Sequence, residues 1–98
     1  MEYLMTVTIK NPKEEKGMDS SIVLKLKATF GYDEKQYGNG YSVAIESDDN
    51  RFQNYYDLRY DTSFDKSKKM EWLTEWANNY WSGTNGAYKV HKLSIEQV

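Results

Sequence analysis

"DKSKKMEWLTEWANNYWS", residues 65–82, decides the fold. On a wheel of about 100° per residue, Met70, Leu73, Trp76, Ala77, Tyr80 and Trp81 share one arc of about 140°. Lys68, Glu71, Glu75, Asn78 and Asn79 fall opposite, and Trp72 sits at the margin beside Trp76. Asp65 or Ser63 can cap the start, and Gly83 suits the position just past the end. The pattern predicts one helix with a single apolar side.

Around it the chain alternates with period two, the mark of strands with one buried face. In "YLMTVTIK" (3–10), Tyr3, Met5, Val7 and Ile9 face one way. In "SIVLKLKATF" (21–30), Ile22, Leu24, Leu26, Ala28 and Phe30 oppose Val23, Lys25, Lys27 and Thr29. "YSVAIES" (41–47) puts Tyr41, Val43 and Ile45 in phase. "YKVHKLSIE" (88–96) reads as a further strand, its phase blurred around His91 and Lys92. "NPKEEKGMDS" (11–20) and "GYDEKQYGNG" (31–40) are rich in turn formers and charge, and "DDNR" (48–51) is a third turn signal.

"FQNYYDLRYD" (52–61) reads as the fourth strand. Alternation assigns Tyr56, Leu58 and Tyr60 to the core and leaves Tyr55, Asp57, Arg59 and Asp61 on the open side. The element order is ββββαβ. One helix covers one face of a sheet, so the expected fold is an α+β two-layer sandwich, an antiparallel sheet of four to five strands with the helix on one face. Ninety-eight residues accommodate one domain, 1–98.

Composition narrows function. There is no Cys, which removes disulfides and thiolate metal sites and fits a reducing cytoplasm. The start lacks a basic, continuously apolar leader, and no run of about 18 apolar residues is present, so no membrane role is expected. Formal net charge is −2. Residues 45–65 concentrate the acid, with Glu46, Asp48, Asp49, Asp57, Asp61 and Asp65 against Arg51 and Arg59. No basic stripe is evident, which disfavours direct nucleic-acid binding.

Catalytic and metal chemistry find no support in the pattern. His91 is the only His, and Ser94, three positions on, falls on the opposite face of a regular strand. Asp57 and Asp61 stand about 13 Å apart on an extended strand, with Arg59 between them to repel a cation. The triplets Glu14–Glu15–Lys16 and Asp33–Glu34–Lys35 lie in loop segments, and "YGNGY" (37–41) opens no helix, so it cradles no phosphate. Neither enzymatic activity nor a cofactor is expected.

What stands out is aromatic and acidic. Nine Tyr and three Trp offer contact area with a polar handle. Tyr32, Tyr37 and Tyr55 are the expected exposed aromatics. With Glu46, Asp48, Asp49, Asp57, Arg59 and Asp61 they form the expected contact area for a protein partner, a basic nucleic-acid-binding protein being the complementary kind. In size, acidity and lack of Cys the chain resembles the small inhibitors that phages and mobile elements use against host nucleases, including anti-CRISPR proteins. That resemblance implies an inhibitor that occupies a partner's surface. Two other readings fit the same sheet. Its open face could bind single-stranded nucleic acid or sugar, with Lys10, Lys25 and Lys27 on phosphates and Tyr55 or Tyr41 stacking. A bare edge, Tyr3–Ile9 or Tyr88–Ile95, could pair copies of the chain into a homodimer or assembly.

Overall fold

The two clearest alternating stretches lie side by side at the centre of a sheet. The computed structural model describes residues 2–10, 21–31, 41–59, 66–83 and 88–98, with backbone only at 41, 58, 59, 82 and 83. In it β1 (Glu2–Lys10) and β2 (Ser21–Phe30) pair antiparallel. Tyr3, Met5, Val7 and Ile9 stand directly opposite Ala28, Leu26, Leu24 and Ile22. All of them are buried, so the period-two pattern translates directly into one packed face.

β3 (Tyr41–Glu46), β4 (Tyr55–Arg59) and β5 (Lys89–Gln97) complete a five-stranded sheet in the order β4-β3-β2-β1-β5, every neighbour antiparallel. Gly31 leaves β2 with φ 76°, a conformation open to Gly, and its N–H donates to the Ser42 carbonyl at 2.8 Å. One edge expectation is corrected. β1 lies between β2 and β5, so Tyr3–Ile9 offers no edge, whereas β5 does. Adjacency in sequence gave no hint that β5 would return to β1.

The helix α1 (Lys66–Gly83) follows from that strand order. β4 and β5 occupy opposite edges, so the chain between them must cross the whole sheet. Five strands span about 19 Å. Eighteen helical residues span about 27 Å, enough to make the crossing. The helix lays Leu73, Trp76, Ala77 and Trp81 into the core, with Met70, Trp72 and Tyr80 half-buried at its flanks. Lys68, Glu71, Glu75, Asn78 and Asn79 are exposed, as the wheel predicts. Residues 63 and 65, the expected caps, lie outside the described residues. Gly83 is the last helical residue rather than the one beyond it.

Lys69 is buried despite its charge. Only 8% of it is exposed, and its Nζ lies 5.7 Å from the centre of the Phe30 ring. Its aliphatic stem covers apolar surface while the ammonium meets a π face.

The molecule is therefore two-layered, an α+β fold with one sheet face covered. Leu4, Val23, Lys25 and Lys27 stand exposed on the other face. No helix among the described residues is long and apolar enough to cross a membrane.

Candidate functional site

The connection 47–54 positions the site, and local hydrogen bonds shape it. Asp49 accepts Arg51 N at 2.9 Å and Arg51 Nε at 3.0 Å on Oδ1, and Arg51 Nη2 at 2.7 Å on Oδ2. Its carbonyl accepts Phe52 N at 3.1 Å. Ser47 Oγ donates to the Lys25 carbonyl at 2.9 Å and accepts Asp49 N at 3.1 Å, while Ser47 N donates to Asn54 Oδ1 at 3.2 Å. An Asp that bonds the backbone two residues on closes a tight turn. The Arg51 hydrogen bonds and charge hold the Asp49 carboxyl down to about 2, against an ordinary 3.8.

This turn drives Phe52 inward. Phe52 is buried against Trp76, Tyr80 and Trp81, at ring separations of 6.3, 5.6 and 6.3 Å. It belongs to the connection and not to β4, which begins at Tyr55.

The phase of β4 is accordingly reversed from the sequence expectation. Tyr55 pairs with Ile45, Tyr56 with Ala44 and Asp57 with Val43. Directly opposed residues share a face, and Ile45 and Val43 are core. Tyr55 therefore turns to the helix side, half-buried, with its ring 5.4 Å from that of Trp76. Asp57 lies half-buried on the same side. Tyr56, expected in the core, is 56% exposed on the open face, where its hydroxyl donates to Glu46 Oε1 at 3.0 Å. Alternation states which residues share a face. Register alone states which face is inside.

The expected acidic contact area is thus divided between two sides of the sheet. Glu46 belongs to the open face, Tyr55 and Asp57 to the helix side, and Asp49 to its own turn, with Asp48 exposed beside it. Arg59 ends β4 opposite Tyr41, its side chain outside the described set. Tyr32, Tyr37 and Asp61 lie outside the described residues altogether.

What the fold does assemble is an open cleft of about 450 Å³ between β4 and α1, lined by Tyr55, Trp72, Glu75, Trp76, Asn79 and Tyr80. Its walls are aromatic. Trp76 and Tyr80 stand 5.1 Å apart, and Trp72 packs edge-on to Phe30 at 6.0 Å. Its rim carries the exposed Glu75 and Asn79. Beneath it Trp76, 8% exposed, keeps a buried indole N–H with no hydrogen-bond partner among the described residues, enclosed by the rings of Tyr55, Phe52, Tyr80 and Trp81.

Sequence reasoning singled out Tyr55 and the ambiguous Trp72, but assigned Tyr80 to the core and gave Glu75 and Asn79 no role. The signal was present. Trp72, Trp76 and Tyr80 recur every four residues along one flank, with Glu75 and Asn79 adjoining at the same spacing.

No group of three or more His, Asp or Glu that could hold a metal ion occurs among the described residues. Comparison of the chain with protein-family models, with curated proteins and with solved structures finds no match.

Proposed function

We propose that this chain is a non-enzymatic binding protein that acts by occupying a surface of a partner protein, with the aromatic cleft as its recognition site. One observation carries the reading. Tyr55, Trp72 and Tyr80 are half-exposed around a cleft whose rim offers a carboxylate and an amide. Tyr and Trp that keep part of their area accessible are the residues that anchor protein interfaces. Glu75 at the rim favours a cationic group, and the aromatic walls hold a guanidinium or ammonium through their π faces. The matching partner inserts an Arg or Lys, which makes a basic, nucleic-acid-handling protein the complementary class. A small chain seated on such a surface excludes the partner's own ligand and works as an inhibitor, the role implied by its resemblance to phage and mobile-element inhibitors.

The test is capture of a partner by the wild type and by Trp72→Ala/Tyr80→Ala, with Glu75→Gln as a milder variant. A basic protein retained by the wild type, lost with the double variant and weakened about tenfold or more with Glu75→Gln supports the reading. Retention by all three places the contact elsewhere.

A further inference from the structure

The open face of the sheet is divided by charge. On one end Glu2 pairs with Lys27 at 3.2 Å, Glu46 stands opposite Lys27, and Glu96 stands opposite Leu4. On the other end the face turns basic. Lys10 stands directly opposite Lys89 and Lys92 opposite Thr8, while Lys25, at the border with the acidic end and lining one hollow with Glu46 and Asp48, stands opposite Thr6, which in turn opposes Ser94. All four lysines are exposed, and no ion pair with a carboxylate of the described residues engages them.

The strand path explains how they converge. Between Thr8 and Ile9 the β1–β5 register shifts, so His91 is the extra residue of a bulge. The shift keeps Lys92 on the open face while placing Lys89 there too, against Lys10. Strand spacings of about 4.8 Å and about 6.7 Å per two residues put Lys10, Lys89 and Lys92 within roughly 5–8 Å of one another, while Lys25 stands about 12 Å from Lys92 and about 8 Å from Glu46, where the basic end meets the acidic one. Like charges directly opposite destabilise a sheet, and a polyanion laid across them relieves that repulsion.

From this placement we infer that the basic end of the open face binds the phosphate backbone of a nucleic acid without reading its bases. The surface between the lysines is hydroxyl-bearing, with Thr6, Thr8 and Ser94 as donors suited to phosphate oxygens. Among the described residues its one exposed aliphatic side chain is Val23. Among the described residues no aromatic or Arg anchor stands there, which is what an acidic protein partner would require. Tyr56, the exposed aromatic of this face, lies on β4 at the far edge, so stacking adds nothing. The site is on the opposite side of the sheet from the aromatic cleft, so both can be filled together. It stands or falls independently of that cleft.

Four phosphate contacts without stacking imply weak, salt-sensitive binding, with a Kd of about 10⁻⁴ to 10⁻⁶ M at physiological salt. The measurement is fluorescence anisotropy of a labelled oligothymidine and of a duplex, with potassium chloride varied. The expected slope of log K against log salt is about −2.8 for the single strand or about −3.6 for the duplex. For the single strand that is about a fiftyfold loss between 50 and 200 mM salt. Whichever form binds more tightly identifies the source of the phosphates. The variant Lys10→Thr/Lys25→Thr/Lys89→Thr/Lys92→Thr should bind at least tenfold more weakly. Lys92→Thr alone should shallow the slope by about 0.7–0.9, and Lys66→Thr on the helix should leave it unchanged. If the fourfold variant fails to fold by circular dichroism, the single-variant slopes decide. Absence of binding at low salt overturns the proposal, as does equal binding by the variants. Equal affinity for polyglutamate also overturns it, because the patch would then read acidic protein.

Discussion

The two faces of this sheet are built from the same strands yet obey different rules. On the helix side, neighbours are chosen by shape: Tyr3 meets Phe30 edge-on at 5.8 Å, and Met5 opposes Leu26. On the open side, neighbours are chosen by charge and hydrogen bonding, as in Lys27 with Glu2 and Tyr56 with Glu46. Packing in the first case excludes water, so each atom removed leaves a void. In the second case water fills any gap, so a substitution alters what the surface attracts more than how firmly the chain folds.

The sharpest way to break the comparison is a deep cut on the covered side. Leu73, fully buried where the helix meets the sheet, should cost about 2–5 kcal/mol as Leu73→Ala in urea unfolding. A loss comparable to that of an exposed residue would mean that the helix is not seated as described.

A finer cut uses adjacent residues. Tyr55→Ala removes a half-buried ring packed 5.4 Å from that of Trp76, and about 1–2 kcal/mol of stability should go with it. Tyr56→Ala loses an exposed hydrogen bond to Glu46 and should change stability by no more than about 0.5 kcal/mol. Equal effects in equilibrium unfolding would restore the opposite phase for β4.

The smallest effect concerns the turn that sets this phase. The Asp49 carboxyl is held at about 2 in the folded chain, against 3.8 in its ordinary state. A depressed carboxyl contributes stability that is present above pH about 4 and is lost as pH falls toward 2. Acid unfolding of Asp49→Asn should therefore lose part of its steepness between those values. An unaltered acid profile would show that the Arg51 pairing does not matter to the turn.

How much of this was legible from the residues depends on whether a pattern had one solution. β1 and β2 had one: their alternate positions are Tyr, Met, Val, Ile and Leu against Thr and Lys, and only one side can be dry. The helix had nearly one, apart from Lys69, whose charge hides a long apolar stem. β4 had two. Tyr56 with Leu58 outweighs Tyr55 with Asp57 on hydrophobicity, and the choice falls to a parity count through 46–54 that depends on where Phe52 buries. The cleft was half legible, since Trp72 and Tyr80 sit on a helix flank visible in the wheel, but its other wall is Tyr55, which had been turned the wrong way. The basic end was legible only in part: alternation puts Lys10 and Lys25 on the open face, but their company with Lys89 and Lys92 requires β5 to return to β1 and a bulge to shift Lys89 against Lys10.

That return has a consequence for synthesis. β1 leaves the ribosome before the other four strands of this sheet, yet its second neighbour is the last of them. Until residues 89–97 have been made, one flank of β1 displays unbonded amides and carbonyls beside Met5, Val7 and Ile9, the kind of margin on which nascent chains adhere to one another. A nascent chain stalled before β5 exposes that margin for as long as the stall lasts, and once β5 docks the open margin passes from β1 to β5.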